Sequence, residues 1–221
     1  MFSEKVITML GEGALTTLYM TVASTFFAYC IGLPLGILLI ISAKDGLKPI
    51  PFLYKVLDVV VNLLRSVPFL ILLVLVIPLT RAIVGKSYGP TATIVPLTIA
   101  AAPFIARLVE SSLREVDPGV VEAAKSMGAS NFQIIIKVLI PEARTALITD
   151  ATVALVTVLG YSAMAGTVGG GGLGDIAIQY GYYRYQTDIM FATVILLVLL
   201  VQILQWIGTT LARSLDRRQR S

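Results

Sequence analysis

The chain has 221 residues, of which 57% are hydrophobic and only 14% are charged, and its net charge is +4. Because soluble domains carry about 25% charged residues, this composition excludes an ordinary soluble domain and indicates a protein that lies mostly in lipid. Histidine is absent and Cys30 is the only cysteine, which excludes an internal disulfide and a histidine or cysteine metal cluster. The basic residues form no stripe interleaved with aromatics, so we do not expect nucleic-acid binding.

Five apolar segments reach the length of about 20 residues that a bilayer-crossing helix needs. In chain order they are residues 18–42, 57–79, 92–113, 146–166 and 188–210. Prolines in or beside them are tolerated where neighbouring helices or water satisfy the backbone. The sequence therefore predicts an all-α membrane protein with five transmembrane helices. The predicted segments are an external N-terminal stretch (1–12), one membrane domain (13–210) and a basic cytoplasmic tail (211–221).

The distribution of Lys and Arg predicts the orientation of the chain. With these spans, eleven basic residues fall on the side that carries the 114–145 loop and the C-terminal tail, and four fall on the opposite side. Cytoplasmic loops are enriched in Lys and Arg. We therefore expect the C-terminus and the 114–145 loop in the cytoplasm and the N-terminus outside, with the spans in contact with membrane lipid.

Four charged residues fall in or near the predicted spans, namely Arg65, Arg107, Glu110 and Asp150. A charge at the bilayer centre costs at least about 2.5–3.5 kcal/mol unless it is compensated. Arg107 and Glu110 stand three residues apart, so they can pair on one helix face. Two interpretations are open. The charges reach toward the cytoplasmic surface, or they form an interior ion-pair network that holds the closed state of a dimer.

Glycines occur in two patterns that bear on packing and on nucleotide binding. Gly32 and Gly36 have the small-residue spacing of closely packed membrane helices, as do Gly166 and Gly170. The run Gly169–Gly172 follows an apolar span rather than a strand, so we interpret it as an external loop, flexible or tightly turned, and not as a dinucleotide site.

The Gly85-Lys86-Ser87 triplet resembles the end of a phosphate-binding loop. Thr80 occupies the position of the first glycine of that motif. The chain therefore carries no predicted nucleotide site, and any ATP with its Mg²⁺ is expected on a partner. We accordingly expect no cofactor in this chain and no catalytic activity of its own.

The cytoplasmic loop carries local signals for two helices joined by a turn. Asp117 is a good N-cap and Pro118 suits the first helical position, so a short helix is predicted to run to about Met127. Gly128 can end that helix in the left-handed conformation.

A second helix is predicted directly after this turn. Ser130 and Gln133 have the spacing of a capping box. The helix is expected to begin at Asn131 and to reach Ile140. Pro141 is expected to stop it, because proline cannot continue a regular helix.

The same loop resembles the EAA motif of the permeases of ATP-binding-cassette importers. The matching residues are Glu122, Ala123, Ala124, Gly128, Val138, Ile140 and Pro141. The resemblance implies coupling helices, between spans three and four, that dock into a groove of an ATPase subunit. It assigns ATPase coupling to Glu122, Ala123, Ala124, Gly128 and Pro141.

Further stretches resemble the methionine-uptake permeases of this class. They read NLLRSVPFLILL, IVPLTIAAAPFIARLVE, GYSAMAG and GGGGLGDIAIQYGY, and they span about residues 60 to 183. The resemblance implies a type I importer fold and a homodimer of permeases. It also implies two ATPase subunits, an external methionine-binding lipoprotein that the glycine run could contact, and L- or D-methionine or close analogues as cargo. Another amino acid as cargo is the alternative.

The translocation path is expected near the external end of the fourth span, within the GYSAMAG stretch. There we predict that Tyr161, Ser162 and Met164 line or gate the path, since a thioether is flexible and apolar. Core packing is the alternative role of Met164. A membrane enzyme and a stand-alone secondary transporter are weaker alternatives, because we find no convincing nucleophile–base pair and no internal repeat.

Overall fold

Every regular element in the described part of the chain is a helix or a helical turn. The structure is a computed structural model that describes residues 3–215, so residues 216–221 of the predicted basic tail lie outside it. In chain order the α-helices are α1 (Glu4–Ser42), α2 (Pro51–Ser66), α3 (Phe69–Leu75), α4 (Ile77–Val84), α5 (Pro90–Arg114), α6 (Pro118–Ser126), α7 (Asn131–Ile134), α8 (Ile140–Glu142), α9 (Arg144–Ala165), α10 (Gly172–Ile176) and α11 (Thr187–Leu215). Wider π-turns follow α7 (Ile135–Leu139) and α10 (Ala177–Tyr182), and a 3-10 turn (Gly166–Val168) extends α9. The predicted all-α class is confirmed.

Four helices are long and apolar enough to cross a bilayer alone, namely α1, α5, α9 with its 3-10 extension, and α11. They correspond to the first, third, fourth and fifth predicted spans. Helix α1 is longer than predicted, since it begins at Glu4 and has 39 residues. Residues 4–12, predicted as an external stretch, are therefore its first turns. No proline stands between them and the apolar run, so the helix continues without a break.

The prediction of one continuous helix over residues 57–79 is wrong. Helix α2 ends at Ser66, and α3 leaves it at an angle of 102°. The ring of Pro68 disfavours the helical conformation of the residue before it, and Val67 accordingly has an extended backbone with ψ 122°. The second span is thus a bent pair of helices, which counts as a fifth crossing only when α2 and α3 are taken together.

Helix α5 lies at the centre of the bundle and packs against α1 through glycines. An added Cβ on Gly32 would stand 2.7 Å from the carbonyl oxygen of Ala102, and one on Gly36 would stand 2.6 Å from that of Ala106. Both distances are too short for any real side chain, so the two backbones are in direct contact. The predicted packing role of these two glycines is confirmed.

The glycine run at the outer end of α9 is tightly turned and anchored. Three of the glycines in Gly169–Gly172 have φ between 75° and 85°, a conformation that side-chain-bearing residues avoid. The Gly89 N–H donates to the Gly169 carbonyl at 2.9 Å. The Leu173 N–H donates to Thr17 Oγ1, also at 2.9 Å. The run therefore ties α1, the start of α5 and the end of α9 together.

The α1–α5 contact can be tested with two alanine substitutions in the same helix. Gly32→Ala forces a methyl group onto a backbone oxygen, and such overpacking costs about 1–3 kcal/mol. Gly11→Ala is the matched control, because nothing lies within 4 Å of its added Cβ and alanine favours helix over glycine by about 0.5–1 kcal/mol. Thermal unfolding in detergent should show a lower midpoint for Gly32→Ala only. Equal midpoints for the two variants would contradict the packing.

Candidate functional site

The first helix of the 114–145 loop forms as its sequence predicts. Helix α6 begins at Pro118, and the Asp117 carboxylate accepts a hydrogen bond of 2.8 Å from the Gly119 N–H. This bond satisfies one of the free N–H groups at the helix start. Gly128, at φ +81°, then turns the chain out of the helix. The predicted N-cap and left-handed glycine are both confirmed.

The second helix begins as predicted but does not end at the predicted proline. The Ser130 N–H donates to Gln133 Oε1 at 2.8 Å and the Gln133 N–H donates to Ser130 Oγ at 3.3 Å, so the capping box is confirmed. Pro141 does not stop the helix, and that prediction is wrong. The backbone widens into a π-turn, in which the Ile140 N–H donates to the Ile135 carbonyl. This extra residue lets the proline ring fit without breaking the helical path.

The five residues assigned to coupling are not equivalent in the structure. Glu122, Ala123, Gly128 and Pro141 are exposed, whereas Ala124 is buried in the main hydrophobic core. Helix α6 thus rests on the bundle through Ala124 and presents Glu122 and Ala123 outward. The outward residues are available to a partner, and Ala124 fixes the height of the helix above the bundle.

Two large apolar residues that the sequence analysis did not single out lie on either side of the Gly128 turn. The side chain of Met127 is 82% exposed and that of Phe132 is 72% exposed. Exposed apolar groups of this size in a water-facing loop mark an interaction surface when they cluster. The sequence did contain a signal for these two residues, because a large apolar residue stands on each side of a turn that joins two helices with N-cap residues.

A cleft of about 170 Å³ separates α6 from the C-terminal ends of α1 and α5. Its polar lining residues include Asp45, Arg114, Glu122 and Lys125. Glu122 therefore faces both outward and toward the cleft. The loop packs into the main core through Ala124, Ile134 and Leu139, while the cleft separates part of α6 from the end of α5.

A chain of ion pairs runs along one side of α5 toward this cleft. Arg107 pairs with Asp58 of α2, and its Nη1 lies 2.6 Å from a Glu110 carboxylate oxygen. Arg114 lies 3.0 Å from the other oxygen of Glu110 and 3.3 Å from Asp45. The predicted pairing of Arg107 with Glu110 is confirmed. Together these ion pairs join α2, α5 and the connection between α1 and α2.

Among these ion pairs, burial strengthens the attraction between Arg107 and Glu110 most. The side chains of Arg107 and Glu110 are 18% and 7% exposed, so water screens their attraction little. The Tyr54 hydroxyl also donates to Glu110 at 3.3 Å.

Two other charged residues of the predicted spans do not take part in these ion pairs. Arg65 is exposed in the last turn of α2, and Asp150 of α9 accepts a hydrogen bond of 2.5 Å from Ser112.

The residues predicted for the path occupy three different environments. Tyr161 is half-buried and stacks on Phe69, with ring centroids 4.8 Å apart. Met164 is 48% exposed on the same helix. Ser162 is buried, and its hydroxyl donates to the Leu159 carbonyl at 2.8 Å. In this conformation Ser162 therefore faces the bundle interior, while Met164 and the edge of Tyr161 reach the surface.

Comparison with known proteins gives one matching family. Residues 32–221 match the family described as the inner membrane component of binding-protein-dependent transport systems. A relative from Vibrio cholerae, called a probable D-methionine transport system permease protein, is 54% identical over 202 residues, which are 91% of this chain and 90% of the relative. The D-methionine transport system permease protein of Escherichia coli K12 is 49% identical over 164 residues, 74% of this chain and 76% of that protein.

Solved structures give the same fold. A chain from inward-facing conformations of the MetNI methionine ABC transporter aligns with a TM-score of 0.96 and 48% identity, covering 98% of this chain and 100% of that chain. A chain from an amino acid ABC transporter with histidines aligns with a TM-score of 0.74 at 20% identity, covering 99% of this chain and 100% of that one. The second likeness concerns the fold alone.

The buried ion pairs give a direct stability test. Arg107→Met leaves the Asp58 carboxylate without its partner, while Glu110 keeps Arg114 and the Tyr54 hydroxyl, and removing one partner of a buried pair costs about 3–5 kcal/mol. Arg81→Met is the control, because Arg81 is exposed and surface substitutions change stability by about 0.5 kcal/mol or less. Denaturation of the purified protein in detergent measures both. Adding Asp58→Asn to Arg107→Met should recover part of the loss, and no recovery would contradict the pairing.

Proposed function

This chain belongs to the family of inner-membrane components of binding-protein-dependent transport systems, and we propose that it is the permease of an ATP-driven methionine importer. The observation that carries the proposal is the 54% identity, over 91% of the chain, to a relative called a probable D-methionine transport system permease protein. The cargo would be L- or D-methionine and close analogues. An importer for another amino acid is the competing outcome of the test given below.

The energy for transport would come from a separate ATPase. The phosphate-binding motif fails at Thr80, so ATP and Mg²⁺ would be bound by two partner subunits rather than by this chain. The similar solved chain comes from a complex described as an ABC transporter, which supports an assembly of this kind. In such an assembly this chain is a non-catalytic subunit.

Helix α6 and the turn after it would form the contact with the ATPase. Glu122 and Ala123 face outward, and Met127 and Phe132 add apolar area on either side of Gly128. A mixed surface of this kind suits a groove with an apolar floor and a polar rim. Pro141 would act from the π-turn behind this surface, where the loop joins α9. Movement of the ATPase would then be passed to α6 and from there to α5 and α9.

The ion-pair chain on α5 would carry that movement into the membrane. Arg114 lines the cleft beneath α6 and shares Glu110 with Arg107, which in turn holds Asp58 of the bent second span. A push on the cytoplasmic end of α5 is therefore felt at α2. Only a partner that binds one conformation better than the other can shift the balance between them.

Two copies of the chain would enclose the path. Five spans are few for surrounding an amino acid, and closed two-fold dimers are the commonest symmetric assemblies. The chain aligns at a TM-score of 0.96 with a protein captured in inward-facing conformations, so we take the present conformation as inward-facing. A lipoprotein outside would deliver cargo to the outer end, where the glycine run is exposed at Gly169.

The outer part of the path would be bounded by Tyr161 and Met164. The stacked rings of Tyr161 and Phe69 form a flat apolar wall, and the exposed thioether of Met164 is soft enough to follow a moving side chain. Ser162, bonded to the Leu159 carbonyl, lies on the buried side of this helix in the present conformation. We orient the chain with its N-terminus outside and its C-terminus in the cytoplasm of a bacterial cell.

Reconstitution tests the proposed function. The permease, its ATPase and its lipoprotein in liposomes should accumulate radiolabelled methionine when ATP is present on the ATPase side. Uptake without ATP, or ATP-dependent uptake of a different amino acid with no competition from L- or D-methionine, would contradict the proposal. Failure of the ATPase to co-purify with the permease would contradict the assembly.

Two glycine substitutions test the coupling role of the cytoplasmic turn. Gly128 and Gly85 both have φ +81°, and nothing lies within 4 Å of an added Cβ at either one. Valine at either position therefore carries the same left-handed strain, about 1–2 kcal/mol. Gly128→Val should lower methionine uptake per ATP hydrolysed, while Gly85→Val, in an external turn, should leave the ratio unchanged. Equal ratios in the two variants would remove the turn from the coupling mechanism.

A further inference from the structure

Helix α11 exposes two faces of different chemistry at the same depth. One face carries Ile203, Ile207 and Leu211 at four-residue spacing, and all three side chains are exposed. Another face carries Gln202, Gln205 and Thr209, also exposed. The first face has the character expected of a surface in contact with lipid tails. The second does not.

The polar face lies deep in the membrane region. Gln202 is fifteen residues from Thr187 and thirteen from Leu215, the two ends of α11, so it stands near the middle of the helix. Hydrocarbon provides no hydrogen-bond partner for an amide, and an amide without a partner is unfavourable there. Polar residues in membrane helices accordingly face protein or a water-filled cavity.

A groove between α9 and α11 collects these polar groups. It has a volume of about 580 Å³, and its polar lining consists of Thr149, Thr152, Thr157, Gln202, Gln205 and Thr209. The apolar part of the lining is formed by Val153 and Val156 of α9 and by the indole of Trp206 of α11. The lining thus contains amides, hydroxyls and one indole but no charged residue.

The groove leads toward the proposed outer path along one face of α9. Thr149, Val153, Gly160 and Met164 are exposed and follow one another at intervals of four or seven residues, the spacing of one helix face. Met164 bounds the outer part of the path, and Thr149 lies near the cytoplasmic end. The exposed face of α9 therefore runs from the proposed gate to the groove.

We propose that the α9–α11 groove is the inner half of the translocation path, in which Gln202 and Gln205 hydrogen-bond the charged ends of the amino-acid cargo. This inference rests on the proposed function. The NH₂ groups of the two glutamines can donate to a carboxylate. The hydroxyls of Thr149 and Thr157 donate to carbonyls of their own helix, at 3.0 and 2.8 Å, and keep lone pairs that can accept from an ammonium group.

The neutral lining fits a path rather than a storage site. A cargo with one positive and one negative end meets donors and acceptors but no fixed charge, so the groove holds it weakly and lets it leave. The apolar part of the lining suits an apolar side chain. A helix of a second copy packed into the groove is the competing occupant, since glutamines also hydrogen-bond between membrane helices. Labelling distinguishes the two.

The test uses the whole transporter in inside-out membranes. Cys30, the single cysteine, is replaced by serine, and Gln205→Cys is compared with Ile207→Cys on the face assigned to lipid. A charged methanethiosulfonate reagent reacts with the thiolate, which forms only in water, so Gln205→Cys should react about tenfold faster. L-Methionine at high concentration should slow that reaction. Equal rates for the two variants, or a rate for Gln205→Cys that L-methionine does not change, would overturn the proposal.

Uptake provides the second measurement. The double variant Gln202→Leu, Gln205→Leu should take up methionine about tenfold more slowly, because the cargo loses its hydrogen bonds to the two amides. Ile203→Leu with Ile207→Leu should leave it unchanged, and Met164→Ala should alter uptake without altering the labelling of Gln205→Cys. A wild-type complex that does not carry methionine would contradict the proposed function, while the contrast in labelling would still decide whether the groove holds water. Normal uptake by the glutamine double variant would overturn the role of the amides.

Discussion

In lipid, one helix is held against another by close contact and by shared polar groups, because lipid tails are as apolar as the side chains they touch. Helix α5 uses both means. Its middle part meets α1 where Gly32 and Gly36 bring the two backbones together at Ala102 and Ala106, and its C-terminal part meets α2 through Arg107 and Glu110. The bundle is thus organised around one helix whose two neighbours are fixed by different forces, dispersion on one side and charge on the other.

This division places the mechanically important part of α5 at its C-terminal end. Only three residues separate Arg114 from Pro118, the start of α6, so the water-facing helix is joined almost directly to the ion-pair chain. Ion pairs can shift to other partners, whereas backbones in contact through glycine cannot move apart without opening a void. The glycine contact between α1 and α5 is therefore the rigid part of the bundle, and the ion pairs around Glu110 and the cleft are where rearrangement costs least.

The sequence predicted most of the fold, because lipid imposes simple rules of length and polarity, and the caps of the loop are local features. Its errors have physical causes. Average hydropathy does not register a single bend, so the break at Val67–Pro68 was missed. Pro141 was expected to end a helix, but a π-turn absorbs its ring. Whether Ser162 or Met164 reaches the surface depends on how α9 is rotated against its neighbours, and both faces of that segment are equally apolar in the sequence.

The π-turn at Ile135–Leu139 has an effect on geometry that reaches beyond the proline it accommodates. A regular helix advances about 100° per residue, and one inserted residue rotates everything on one side of it by that amount relative to the other side. The direction in which Phe132 points is consequently locked to the direction in which α9 presents Met164. Lengthening or shortening the chain by a single position here would swing the loop a quarter-turn around the bundle. The number of residues in this short stretch therefore sets the rotation of α7 relative to α9.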